Sequence, residues 1–197
     1  MVAEIRLAPV DDAAQIQAIY EPIVLETAIS FELIPPTVEE FKGRITQTLE
    51  KTPWLVCEID GQVAGYSYAG QYRAREAYQW SAEVTVYVST QFYQHGVGRA
   101  MYTSLFEILR LQGFRMAYAA IVLPNDASIA LHKSVGFSAI GEFKSVGYKL
   151  GEWRDMEWWQ LDLRRTELKP AAHTSLPEVE NSDKFRRAIQ AGLAELH

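Results

Sequence analysis

Apolar and polar positions change period several times along this chain of 197 residues, and each change marks an element. Ile5-Arg6-Leu7 alternates and predicts a short first strand. Ile16, Ile19, Tyr20 and Ile23 then recur at helical spacing behind Asp11 and Asp12, either of which can cap the helix; Pro22 is expected to end or kink it. Pro35-Pro36-Thr37 breaks the chain. Thr37 and Glu40 form a capping box for a second helix running to about Leu49, and Pro53 closes that segment. The apolar runs 54–59 and 62–68 flank Asp60-Gly61, a strong hairpin signal. A polar loop carrying Arg73 and Arg75 follows, then a strand around Glu83 to Val88, a glycine-spaced turn, and a helix from Arg99 to Gln112 that Gly113 stops. Phe114 to Val122 is β-rich, Ala127 to Ser134 a short helix, and Ala139 to Leu163 two further strands with turns set by Gly141, Gly147 and Gly151. The order is β-α-α-β-β-β-α-β-α-β-β. It fits an α/β protein of the α+β type, with a mixed, mostly antiparallel sheet and helices on both faces. A doubly wound dinucleotide fold needs more regular alternation.

From Arg164 the composition shifts. Lys169 to Glu180 is rich in Pro, Ala, Ser and Glu and reads as a linker; Ser182 can cap a last helix with Phe185, Ile189 and Leu193 at i, i+4 and i+8. That amphipathic stripe needs a surface, either on its own domain or on a second subunit. The expected division is a domain over 1–165 and a tail over 166–197. No internal repeat is visible.

Composition narrows the function. A chain that is 48% hydrophobic and holds a real core is a globular domain, and no apolar run approaches the roughly 20 residues that span a bilayer. The first residues lack a signal-peptide apolar block, so the expected place is the cytoplasm, with no membrane partner. One cysteine, Cys57, inside a predicted strand, excludes a disulfide framework and a cysteine-rich metal site; it reads as core, and no metal is expected. A formal charge of −6 argues against nucleic-acid binding but leaves room for a local basic pocket.

Chemistry concentrates in two stretches. Gln94-His95-Gly96-Val97-Gly98-Arg99 follows the apolar run Val84-Thr85-Val86-Tyr87-Val88 and opens a helix. A strand, a glycine turn and a helix N-terminus leave backbone N–H groups aimed one way, which suits phosphate, and Arg99 adds charge. An ordinary strand–turn–helix connection has the same look. The Gly-Lys-Ser/Thr loop of kinases and GTPases is absent. The loop with Arg73, Arg75 and Glu76 can grip a carboxylate or phosphinate, Glu76 holding one arginine in place; solvated loop charge is the plain alternative.

Several blocks resemble a known family. They are Ile19-Tyr20-Glu21-Pro22-Ile23-Val24, Thr27-Ala28-Ile29-Ser30-Phe31-Glu32, Tyr72-Arg73-Ala74-Arg75-Glu76-Ala77-Tyr78, Trp80-Ser81-Ala82-Glu83, Leu123-Pro124-Asn125-Asp126-Ala127-Ser128 with Leu131-His132, and Val146-Gly147-Tyr148-Lys149 with Gly151-Glu152-Trp153-Arg154-Asp155. Together with the glycine turn they resemble the GNAT acetyltransferases, and among these the phosphinothricin and methionine sulfoximine or sulfone acetyltransferases. The likeness covers roughly residues 4 to 163 and leaves out the tail. It departs at Tyr93, where the superfamily usually has Arg or Gln, and carries His132 where the superfamily often has tyrosine, as the named family does.

The resemblance implies a sheet with a splayed pair of strands and acetyl-CoA as co-substrate. Its diphosphate would lie on residues 94 to 99, and its pantetheine arm along Val86, Tyr87 and Val88, where one backbone N–H polarises the acetyl carbonyl. Asn125 and Ser128 would bind the arm, although both can equally serve their own helix. Glu83 matches the family's general base. His132 would protonate the departing thiolate or aid the base, or else is a buried, hydrogen-bonded histidine. Arg73, Arg75 and Glu76 would contact the acceptor, with Phe31 and Tyr78 as walls. Trp153, Trp158 and Trp159 read as packing or subunit contact. The implied acceptor is a small amino acid with an oxygen-rich P or S group, and the implied assembly is a homodimer with the acceptor site near the subunit boundary. The alternatives are another amine (a peptide N-terminus, a polyamine or an aminoglycoside), or a non-catalytic acyl-CoA sensor.

Overall fold

A computed structural model describes residues 2–165 and 169–197. The elements are β1 (Ala3–Leu7), α1 (Ala13–Glu26), α2 (Val38–Leu49), β2 (Trp54–Ile59), β3 (Gln62–Gln71), β4 (Ser81–Val88), α3 (Val97–Gln112), β5 (Met116–Val122), α4 (Asp126–Ser134), β6 (Ser138–Lys149), β7 (Glu152–Asp162), α5 (Leu176–Val179) and α6 (Asp183–Gln190). The strands form one sheet in the order β1-β2-β3-β4-β5-β7-β6, antiparallel except between β4 and β5. The expected element order and fold class hold. Among the described residues no helix is long and apolar enough to cross a membrane.

Several local expectations hold for their stated reasons. Thr37 and Glu40 make the reciprocal capping box that starts α2, with Thr37 N–H donating to Glu40 Oε2 at 2.7 Å. Asp60 and Gly61 both take positive φ, 49° and 84°, as a tight hairpin turn requires. Cys57 is fully buried, and burial pushes its thiol up to about 11, which suits packing and not nucleophilic attack.

Others are corrected. Asp12 does not cap α1 with its side chain; Arg6 takes that carboxylate at 2.6 Å, and also Glu58 at 2.7 Å. Pro22 does not end α1, which runs on to Glu26. Pro22 and Ala18 are both exposed, so water can satisfy the carbonyl that the missing N–H leaves behind. Gly141 and Gly147 do not set turns: they lie within β6, where its register against β7 shifts, and the turn itself falls at Leu150-Gly151. The stretch 169–180 is not wholly a linker, because a Ser175–Glu178 capping box starts α5 there and buries Leu176. The expected boundary at 165/166 meets residues 166–168, which lie outside the described residues.

Two apolar layers cover the sheet. Leu105 and its neighbours on α3 pack with Ala82, Val84, Ala117 and Ile121 on one face, and this cluster takes in Leu176, Phe185 and Ile189 of the tail. On the other face α1 and α2 cover Trp54, Val56 and Tyr66. Strand alternation decides which face each β4 residue serves: even positions 82 to 88 face α3, odd positions 83 to 87 face α1 and α2. Phe41 of α2 is 1% exposed and sits edge-on to Tyr20, Trp54 and Tyr66 at 5.7 to 6.4 Å. Phe41→Ala should therefore cost about 3–5 kcal/mol, read as a lowered midpoint in denaturant unfolding.

Candidate active site

The site begins where two parallel strands stop pairing. β4 and β5 share register only at Ser81↔Met116, Ala82↔Ala117 and Glu83↔Tyr118. Beyond Glu83, β4 stays paired with β3 as far as Val88, and β5 with β7 as far as Val122, so a gap opens between them. The direction of main-chain groups follows from the bonds at its two ends. Trp80 C=O accepts from Met116 N–H on the β5 side, and Ser89 N–H donates to Ala64 C=O on the β3 side. Alternation then aims the C=O of Val84 and the N–H and C=O of Val86 and Val88 into the gap; the N–H of Val84 belongs to the last rung, Glu83↔Tyr118.

At the open end of the gap lies the glycine turn. Gln94 and Gly96 take positive φ, 65° and 76°, and Gly96 is the residue before the first turn of α3. The first ladder bond of α3 is Ala100 N–H to Gly96 C=O, so the N–H groups of Val97, Gly98 and Arg99 precede it. Among the described residues, no backbone bond outside a helix or strand is donated by residues 94 to 99. A Cβ built on Gly98 would meet Leu131 of α4 at 3.0 Å and lie 3.7 Å from Val88, so only glycine leaves the space between α3, α4 and the end of β4 open. These open amides at the positive end of a helix fit a diphosphate.

Glu83 stands at the apex of the gap, half-buried, with its side chain on the α1/α2 face. Burial raises its pKa above the usual carboxylate range, and the nearby charge of Arg73 opposes that rise. Arg73 is held by aromatic packing. Its guanidinium lies 5.1 Å over the Tyr72 ring, Tyr72 stacks on Tyr118 at 4.3 Å, and Tyr118 is the register partner of Glu83. Tyr78 is exposed and meets Tyr72 edge-on at 5.8 Å. Arg75 and Glu76 are exposed, and no ion pair joins Glu76 to either arginine. The expectation that Glu76 holds one of them is thus not met; Tyr72 does that work for Arg73.

Phe31 comes to the same face through a network that sequence reasoning missed. The Lys149 ammonium is 4% exposed and donates to Ser30 C=O at 2.6 Å and Glu32 C=O at 2.8 Å, the carbonyls on either side of Phe31. The Phe31 ring lies on Gly147, where a Cβ would come within 2.6 Å of it. Tyr20 OH bonds Ser30 Oγ at 2.6 Å, and Arg44 grips Glu32 at 2.8 Å. The available signal was Lys149 itself, a lysine next to a hairpin turn inside the Val146–Lys149 block.

Asn125 and Ser128 serve α4: Asn125 Oδ1 accepts from Ser128 N–H at 3.2 Å as its cap. His132 is buried in the α3/α4 layer, on the opposite side of the sheet from the Glu83 carboxylate, so the two are not brought together and His132 does not aid that base. Its Nδ1 lies 2.7 Å from Ser128 C=O and must carry the proton there, leaving Nε2 to accept from Tyr102 OH at 3.0 Å. Burial lowers its pKa, so the ring is neutral at pH 7. This is the buried, hydrogen-bonded arrangement. A separate cavity of about 320 Å³, lined by Trp80, Gln112 and Arg115, lies at the far end of α3. Among the described residues no group of His, Cys, Asp and Glu could hold a metal ion.

Comparison with known proteins agrees with this geometry. Residues 5–158 match the acetyltransferase (GNAT) domain model. The chain is 40% identical to a phosphinothricin N-acetyltransferase of Streptomyces viridochromogenes, over 81% of this chain and 87% of the relative. It is 34% identical to an L-methionine sulfoximine/L-methionine sulfone acetyltransferase of Pseudomonas aeruginosa, over 86% of this chain and all of the relative. The crystal structure of a GNAT phosphinothricin acetyltransferase from Sinorhizobium meliloti, in complex with acetyl-CoA, superposes with a TM-score of 0.83 at 31% identity, covering 91% of this chain and 98% of that one. The chain belongs to the GNAT acetyltransferase family and is a relative of its phosphinothricin and methionine sulfoximine/sulfone acetyltransferases.

Proposed function

We propose that this protein N-acetylates the α-amine of a small amino acid bearing a tetrahedral, oxygen-rich group, with phosphinothricin, methionine sulfoximine and methionine sulfone as the acceptors to test. One observation carries the reading: the open amides at 97–99 and the unpaired main-chain groups of Val86 and Val88 line one gap whose apex is Glu83. Acetyl-CoA supplies the acetyl group as an activated thioester. The turn from Gln94 to Arg99 holds the diphosphate, and the β4 edge, with Asn125 and Ser128, holds the arm. A backbone N–H of Val86 or Val88 stabilises the negative charge that develops on the acetyl oxygen. Glu83 takes the ammonium proton of the acceptor, because only the neutral amine is a nucleophile. Arg73, with Arg75, binds the acceptor's acidic group, and Phe31 and Tyr78 wall its pocket. His132 acts by locking Tyr102 and the start of α4.

We also place the protein in the cytoplasm as a homodimer. Support for the second copy comes from the β6–β7 hairpin, where Ile140, Phe143, Val146, Tyr148, Leu150 and Trp153 are all exposed along the outer edge of the sheet. That is more apolar edge than a monomer usually leaves bare. A polycationic acceptor is disfavoured by Arg73 and Arg75.

A thiol-release assay with acetyl-CoA tests the activity directly. Phosphinothricin or methionine sulfoximine should turn over well above ordinary amino acids and polyamines; acetyl-CoA binding with no turnover on any amine would favour a sensor. Glu83→Gln should lower kcat/KM about 10²- to 10⁴-fold without changing acetyl-CoA affinity. The acid limb of kcat/KM against pH should lie above the usual carboxylate range, since Glu83 works only when ionised and its pKa is raised. Arg73→Gln removes the one influence that lowers that pKa, so the limb should move to still higher pH. A limb that stays put would show that Arg73 does not act on the base.

A further inference from the structure

The segment beyond the matched family region ends on the cofactor turn. α6 buries Phe185, Ala188 and Ile189 against the α3 side of the sheet. Ser104 of α3 then fixes the end of the tail, donating to Ile189 C=O at 2.8 Å and accepting from Gly192 N–H at 3.0 Å. Gly192 presses on Ala100 C=O so closely that a Cβ has no room there. Held in this way, the last residues reach the start of α3. The Glu195 carbonyl lies in the space that a Cβ on Gly96 would need, and His197 N–H donates to His95 C=O at 3.3 Å. The Glu195 carboxylate sits 2.8 Å from Arg99 Nε.

Arg99 is the one permanently charged cation between positions 94 and 99. The tail brings an anion to it and leaves the amides of 97 to 99 undonated. The tail thus rests on the turn at His95 and Gly96 and takes its cation, while the amides of 97 to 99 keep no backbone partner. We propose that Glu195 is an intramolecular competitor of the acetyl-CoA phosphates for Arg99, so that the C-terminal segment sets acetyl-CoA affinity. This rests on residues 94 to 99 being the diphosphate cradle. A phosphate oxygen and a carboxylate oxygen make the same charge-assisted bond to a guanidinium, and both cannot hold Arg99 in one geometry. The pair is solvent-facing, with Arg99 half exposed, so a dianionic diphosphate displaces Glu195 at modest cost.

Calorimetric binding of acetyl-CoA to the full chain tests this. Glu195→Gln should bind about 3- to 10-fold tighter than wild type at low ionic strength, with the difference shrinking at roughly 0.5 M salt, where surface charges are screened. In the Arg99→Gln background the same change should alter affinity less than about twofold, because the competed cation is gone. Gly192→Ala, which dislodges the tail end without touching its charge, should also tighten binding. Unchanged or weaker binding by Glu195→Gln, or tightening that persists undiminished without Arg99, would overturn the proposal. If Arg99→Gln alone leaves acetyl-CoA binding untouched, the assignment of Arg99 to the cradle fails instead.

Discussion

Three rungs of parallel pairing, ending at Glu83 and Tyr118, are the constraint on which this molecule turns. Buried main-chain N–H and C=O groups are normally paired, and strands that part inside a sheet leave such groups exposed to loss. Here each parting strand keeps a full ladder on its outer side, β4 with β3 and β5 with β7. The gap is therefore stable as a shape, since among the described residues only the main-chain groups on the short inward-facing edges of β4 and β5 beyond Glu83 and Tyr118 lack a strand partner. Those groups stand ready for a ligand with amides of its own. The helix that follows inherits its position from the same feature, because α3 must start where β4 ends, and its first three N–H groups open toward the same space.

Alternation along β4 then divides the work between the faces of the sheet. Even positions contribute valines to the α3 layer and main-chain groups to the gap, while odd positions send Glu83, Thr85 and Tyr87 toward α1 and α2. The carboxylate is thereby half-buried on that face, where removal from water raises its pKa and Arg73 opposes that rise. His132 cannot join it without crossing the sheet. It bridges α3 and α4, with Nε2 on Tyr102 and Nδ1 on Ser128. The two family positions thus lie on opposite faces of the sheet.

How much of this was legible in the chain follows from the range of the interactions concerned. The hairpin at Asp60-Gly61, the capping box at Thr37, the Ser182 cap and the glycine turn depend on neighbours a few residues apart, so their spacing announces them. The fate of Asp12 does not: a guanidinium on the first strand outcompetes the helix end for its carboxylate. Gly141 and Gly147 look like turn glycines until β7 supplies the register that makes them bulges. Lys149 is the clearest case. Its two carbonyl partners lie 119 and 117 residues earlier, and no local rule places a buried ammonium there. Family resemblance supplied Glu83, Phe31 and Arg73 as a set, but not the stack of Tyr72 on Tyr118 or the Lys149 clamp that brings them to one face.

An acidic protein that handles anionic ligands must solve a problem of placement, because a net charge of −6 repels them at long range. Screening reduces that repulsion over about 10 Å at 0.1 M salt, so what decides binding is the charge within a few ångströms of the ligand. This fold spends few cations and positions each by a different means. Arg73 lies on an aromatic face, Lys149 is buried among carbonyls, and Arg99 projects beside open helix amides. Backbone dipoles at the start of α3 carry the rest. A cation set that small is easily gated: one carboxylate delivered to Arg99 changes a large share of the local potential, whereas the same carboxylate on a broadly basic surface would change little.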